Sequence, residues 1–163
     1  MKYRIGQSTD IHKLVKNRKL ILGGVEIESE LGLLGHSDAD VLTHVIMEAI
    51  LGALALGDLG KHFSDTAEQY QNISSIILLQ EVIKLMHEHN YSINNIDSLI
   101  MLEKPKLAPF ISEIKNNLAK YLNCDLQQIN IKATTSEKLG YIGRAEGVMA
   151  QAVVMLKRRD KNE

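Results

Sequence analysis

The opening stretch from Lys2 to Thr9 reads as a β-strand that runs on into Asp10-Ile11-His12. Lys19–Leu22 and Val25–Ile27 are short apolar runs on either side of Gly23-Gly24, the pattern of a tight hairpin. Ser37-Asp38-Ala39-Asp40 has an acid three residues after a good N-cap, so a helix is expected to open there. Apolar residues then recur at Leu42, Val45, Ile46, Ala49, Ile50, Ala53 and Leu54, the spacing of one buried helical face, with Gly57 as the expected stop. A second helix is predicted over Ser75–His89, with Ile76, Leu79, Val82, Ile83 and Met86 inward. Ile96–Leu102 reads as a buried strand. Pro105 and Pro109 bracket a loop, and Pro109 suits the first turn of a third helix ending near Asn123. Ile129–Ala133 alternates as a strand, and Gly147–Leu156 is apolar on both faces, which suits a central or interface strand. This order predicts an α+β fold with helices packed on one face of a mostly four-stranded mixed sheet.

At 163 residues the chain is expected to form a single domain over 1–163, with 157–163 as a flexible tail. A net charge of -1 gives no global field that would favour nucleic acid or an anionic membrane. Cys124 is the single cysteine, which excludes an internal disulfide and fits a reducing compartment. The richest apolar stretch, Val41–Leu56, is broken by His44, Glu48 and Gly52 and falls short of the ~20 residues that span a bilayer. With no leader pattern at the N-terminus, the chain is expected to be cytoplasmic.

Three clusters carry candidate chemistry. In Asp10-Ile11-His12, strand residues two apart project to one face, so a carboxylate and an imidazole meet as half of a zinc-type site. His36-Ser37-Asp38-Ala39-Asp40 comes next, with His44 one turn into the helix. A lone helical histidine is more often a boundary residue than a ligand, but Asp10, His12 and His44 together make the three ligands of an open zinc centre. The far nitrogen of His44 needs an acceptor, and Asp40 and Glu48, each four residues away, are both within reach. The third cluster, Lys132 to Arg144, runs a strand into hydroxyls and backbone amides. That is either a polar turn or an anion cradle in which Glu137 holds Mg²⁺ and Lys138 and Arg144 balance diphosphate charge. His87 and His89 diverge on a helix, and His62 and the methionines are read as packing.

Asp10-x-His12, Gly23-Gly24, Gly35-His36-Ser37-Asp38-x-Asp40 with His44, Ala55-Leu56-Gly57-Asp58-x-Gly60, Pro105-Lys106, Lys132-Ala133-Thr134-Thr135-x-Glu137-Lys138-Leu139-Gly140 and Gly143-Arg144-x-Glu146-Gly147 occur in one order. From Arg4 to about Leu156 the chain thereby resembles the 2-C-methyl-D-erythritol 2,4-cyclodiphosphate synthases. The resemblance implies a homotrimer with sites between subunits, releasing CMP from a cytidine diphosphate substrate in the non-mevalonate route to isoprenoids. It implies zinc, one per subunit, on Asp10, His12 and His44, and Mg²⁺ or Mn²⁺ on Glu137. His36, Thr135 and Glu137 would be catalytic, with His36 and Ser37 on phosphate. Asp58, Gly60 and Asp65 would line the polyol pocket. Leu102 to Lys106, with Ala133, Thr134 and Thr135, would hold the cytidine end, with Ser136 and Tyr141 also among the substrate contacts. Arg144 and Glu146 would stand near the trimer axis, beside a cavity for an isoprenoid diphosphate. Thr9, Glu48, Ser64 and Glu103 depart from the family pattern. The rival readings are a metal-dependent phosphohydrolase of nucleotide-diphosphate substrates and a non-enzymatic trimeric binding protein.

Overall fold

The computed structural model describes residues 1–63, 70 and 72–159. Strand β1 spans Tyr3–Val15, and β2 (Leu20–Leu22) and β3 (Val25–Ile27) form the hairpin. Gly23 and Gly24 hold φ of 59° and 74° in its turn, the left-handed pair that a two-residue hairpin turn demands. Then follow β4 (Gly32–Leu34), α1 (Val41–Leu54), the single turn α2 (Leu59–His62) and α3 (Ser75–Glu88). Strand β5 (Tyr91–Met101), α4 (Ile111–Leu122), β6 (Ile129–Thr134), the short α5 (Gly140–Gly143) and β7 (Gly147–Arg158) complete the chain.

The main sheet has five strands, in the order β4-β1-β7-β5-β6, where the sequence pattern predicted mostly four. The additional strand is β4, whose three residues pair with Lys13–Val15 of β1 and are too few to show a period. The sheet is mixed as expected: β5 and β6 run parallel across the α4 connection, and the other pairs are antiparallel. Strand β7 is the middle one, between β1 and β5, and its alternate residues Val148, Ala150, Ala152, Val154 and Leu156 are buried under the helical layer.

Several element boundaries differ from expectation. Strand β5 starts at Tyr91 rather than Ile96, and α4 starts at Ile111 with Pro109 ahead of its cap. Strand β7 runs on to Arg158, taking in two residues expected in the tail. The N-cap of α1 is Asp40, whose side chain accepts from Thr43 N, and not Ser37. The helix ends at Leu54 with Ala55 in the left-handed conformation, before Gly57 is reached. Asp40 does more than cap. Its fully buried carboxylate accepts from Gly23 N at 2.9 Å, Gly24 N at 2.7 Å, Thr43 N at 3.0 Å and Thr43 Oγ1 at 2.7 Å, tying the hairpin to α1. Burial pushes its carboxyl above the ordinary value, against the pull of those donors.

Helix α1 lies close along β1, and Gly6 permits this. A Cβ there would fall 1.8 Å from Ala49 O and 2.7 Å from Ala53 N, both backbone atoms that no rotamer change can move. Gly6→Ala is therefore expected to destabilise by at least the ~1–3 kcal/mol of ordinary overpacking, read as a lowered melting temperature. An unchanged melting temperature would mean the two elements are not in this contact. The sheet's other face is open, with Ile5 66%, Ile11 52% and Val153 46% exposed. Among the described residues no helix is long and apolar enough to cross a membrane.

Candidate active site

Asp10 and His12 project from β1 toward the helical layer, on the side of the buried Gly6, Ser8 and Leu14, and α1 brings His44 over them. Asp10 Oδ2 lies 2.9 Å from His12 Nε2 and 3.4 Å from His44 Nδ1. The two imidazoles meet edge to face, with centroids 5.1 Å apart. Burial acts to raise the Asp10 carboxyl, but hydrogen bonds and charge from His12 and His44 outweigh it and hold the group well below the usual carboxylate range.

The three side chains fit a divalent cation. One ligand atom from each lies within 4.8 Å of the others. Tetrahedral zinc with bonds of about 2.0–2.1 Å separates its ligands by about 3.3 Å, close to the spacing of His44 Nδ1 from Asp10. The donor set is of the borderline N/O kind that zinc accepts and leaves a fourth position for substrate.

The acceptor for the far nitrogen of His44 is neither Asp40 nor Glu48. His44 Nε2 lies 2.9 Å from Ser75 Oγ at the start of α3 and 3.2 Å from Ser37 Oγ. Asp40 is committed to the hairpin and Thr43. Glu48 lies near the centre, and its carboxyl is pushed up by burial, with Asp58 and Asp10 adding like charge. Ser75 was not legible as a site residue, because it lies 31 positions from His44 and reads as part of a helix start.

His12, His36, Ser37, His44 and Gly60 line one cavity of about 530 Å³, together with Phe63 and Tyr70. Phe63 and Tyr70 stack edge to face at 5.7 Å and give the cavity an apolar wall that sequence reasoning missed. Asp58 caps α2 by accepting from Lys61 N at 2.9 Å. Asp65 and Ser64 lie outside the described residues.

Lys106, Ala133, Thr134 and Thr135 line a second cavity of about 260 Å³ with Leu102, Glu103 and Pro105, as the resemblance implies for the nucleotide end. Beyond it, Glu137 and Lys138 both take left-handed φ, 52° and 64°. Each costs of order 1 kcal/mol or more for a non-glycine residue, and such strain concentrates at functional turns. Thr135 Oγ1 accepts from Glu137 N at 3.3 Å, and Ser136 Oγ donates to Leu139 O at 2.7 Å, so these hydroxyls first shape the turn. Tyr141 lies against Gly147. Arg144 is paired with Glu146 through Nε and a terminal nitrogen at 2.9 and 3.0 Å, so part of its charge is already answered.

The two cavities share no lining residue. Across the sheet, Ile11 pairs with Met149, Met149 with Met101, and Met101 with Thr134. At a strand spacing near 4.8 Å, those steps set Thr134 about 14 Å from the strand that carries Asp10 and His12.

A mixed sheet under a helical layer, with a carboxylate and two imidazoles gathered between β1 and α1, defines an α+β domain with a candidate divalent-metal site. The chain belongs to the YgbB family, whose pattern matches residues 3–157. A relative from Desulfitobacterium hafniense, a 2-C-methyl-D-erythritol 2,4-cyclodiphosphate synthase, is 57% identical over 153 residues, covering 94% of this chain and 97% of the relative. Among solved structures, the bifunctional IspDF of Campylobacter jejuni is 41% identical with a TM-score of 0.95 over 99% of this chain, which spans 44% of that protein. Plasmodium falciparum IspF in complex with CDP is 35% identical with a TM-score of 0.86, and 98% of each chain is covered. These relatives give no support to the phosphohydrolase alternative.

Proposed function

We infer that this chain converts 4-diphosphocytidyl-2-C-methyl-D-erythritol 2-phosphate to 2-C-methyl-D-erythritol 2,4-cyclodiphosphate, releasing CMP, as a phosphorus–oxygen lyase of the non-mevalonate isoprenoid route. The observation that carries this reading is the convergence of Asp10, His12 and His44 at a cavity, in a chain that a synthase of that name matches over 94% of its length.

The attacking group is the substrate's own 2-phosphate, already anionic near pH 7 because its second pKa is ~6. No side-chain nucleophile is required, and the barrier lies in bringing two anions into line. Asp10, His12 and His44 would hold zinc and Glu137 would hold Mg²⁺ or Mn²⁺, cations that supply charge neutralisation and polarised P–O bonds when bound. His36 and Ser37, beside His44 in the same cavity, would position the phosphate next to the metal ligands. Asp58, Gly60 and Asp65 would hold the methylerythritol hydroxyls. Lys106, Ala133, Thr134 and Thr135 would grip the cytidine end and the departing CMP, with Ser136, Tyr141 and Arg144 alongside. His36, Thr135 and Glu137 are the groups assigned to the reacting phosphates.

The same reading makes the protein a homotrimer with sites between subunits. Supporting it are the open apolar face of β1 and β7 and the separation of the two cavities within one chain. Arg144 and Glu146, both exposed, would face the trimer axis, where an isoprenoid diphosphate would be taken. The cell compartment remains assigned to the cytoplasm on the same reading.

The test is incubation with the cytidine substrate, followed by mass spectrometry and a phosphate assay. The expected result is one CMP per cyclic product with no inorganic phosphate, lost on chelation and restored by Zn²⁺ with Mg²⁺. Release of inorganic phosphate, or a ring-opened monoester, would overturn the assignment.

A further inference from the structure

We propose that Asp38 and Ser75 are positioning residues that fix the proton on His44 Nε2 and so present the Nδ1 lone pair to the metal centre. The inference rests on the metal reading of Asp10, His12 and His44 and assigns a role to residues outside that set.

The directions of the hydrogen bonds follow from what each group can do. Asp38 Oδ2 accepts from Ser75 N at 2.9 Å, and Asp38 Oδ1 accepts from the Ser75 hydroxyl. A carboxylate only accepts, so the single hydroxyl proton of Ser75 is committed to Asp38. Ser75 Oγ, 2.9 Å from His44 Nε2, can then only accept, and that nitrogen must carry a proton. Ser37 Oγ, 3.2 Å from the same nitrogen, already accepts from Ala39 N at 3.2 Å and offers a further acceptor. A neutral His44 protonated on Nε2 has its lone pair on Nδ1, the nitrogen 3.4 Å from Asp10 Oδ2. The tautomer that a cation needs is thus written into the contact between α1 and α3. Ser75 is fully buried, so water can reach these bonds only from the half-buried Asp38 and His44 sides. His12 lacks such a device: its Nδ1 is buried with no hydrogen-bond partner among the described residues. The orientation of the centre therefore depends on the His44 side.

Asp38→Asn tests the relay with little change in shape. Asparagine keeps one oxygen; held on Ser75 N, it turns the amide to donate to Ser75 Oγ, at the cost of the 3.2 Å bond that Asp38 Oδ1 accepts from Asp40 N. The Ser75 hydroxyl would then turn to donate to His44 Nε2, moving the imidazole proton to Nδ1. Nitrogen-15 NMR of the histidine side chains in metal-free protein, at a pH where His44 is neutral, should show it protonated on Nε2 in the wild type and on Nδ1 in Asp38→Asn. Zinc affinity, measured by chelator competition, should fall about 10–100-fold in Asp38→Asn. It should fall less in Ser75→Ala, where Ser37 Oγ can still accept. Wild-type zinc binding with unchanged affinity and an Nε2 proton in Asp38→Asn would overturn the relay. A wild type that binds no zinc would overturn the centre itself, while the tautomer in metal-free protein would still decide the relay.

Discussion

His44→Ala is expected to lower the rate of CMP release by about three orders of magnitude or more, while the proposed trimer stays assembled. The imidazole supplies one of three ligand atoms, and no other acid, histidine or cysteine completes the described cluster in its place. Loss of a metal site forfeits several kcal/mol of transition-state charge stabilisation. At about 1.4 kcal/mol per factor of ten, that places the loss near 10³. The cost to the metal-free fold is small by comparison. His44 makes one close hydrogen bond, at Nε2 to Ser75 Oγ, and its removal empties part of a solvent-connected cavity rather than the sealed core. The expected destabilisation is about 1–3 kcal/mol, the cost of hydrogen-bond groups left unmatched. Metal analysis, turnover and light scattering on one preparation separate the effects. A variant that has lost zinc but still releases CMP at near the wild-type rate would sink the role given to the centre.

The sequence made the β1 half of this centre readable because a strand's period is two, so Asp10 and His12 had to share a face wherever the strand lay. His44 was readable as a ligand only in company, since one helical histidine carries no information about what packs opposite it. The orienting partner could not be read from the sequence, for a physical reason. Residues four apart on a helix are within reach, but reach does not say which is already engaged. Asp40 turned out to be held by the Gly23-Gly24 turn and by Thr43. Ser75 could not have been found, because its nearness to His44 is created by the packing of α3 on α1 and leaves no trace in local spacing. Strand β4, with three residues, was too short to display alternation, and it exists because β1 offers Lys13–Val15 as a template. Ala55 in a left-handed cap is likewise invisible to a reading that looks for glycine. What fails in each case is tertiary, while periods and turn chemistry carried the long elements.

Placing arginine at both Ile5 and Val153 is expected to convert the proposed trimer to folded monomers and to reduce turnover at least as severely as loss of His44. The two positions point to the open face of the sheet, Ile5 opposite Met155 and Val153 opposite Gln7, so they are diagonal neighbours across β1 and β7. Both are well exposed in the single chain, 66% and 46%, and substitutions at such sites cost the isolated domain about 0.5 kcal/mol or less. In a trimer the same positions would carry unpaired guanidinium groups into an apolar contact, each charge costing several kcal/mol to desolvate. Activity should follow assembly because the phosphates of one diphosphate share a bridging oxygen, whereas in one chain the Thr134 end of β6 stands about 14 Å from β1. A neighbouring subunit's copy of the 132–137 segment would close that gap. The monomer should still bind zinc with wild-type affinity, since Asp10, His12 and His44 belong to a single chain. Gel filtration with light scattering gives the assembly state, and chelator competition gives the metal affinity. Monomers that turn over at the wild-type rate would show that each chain is complete by itself. A trimer that tolerates both arginines would show that the subunits meet elsewhere.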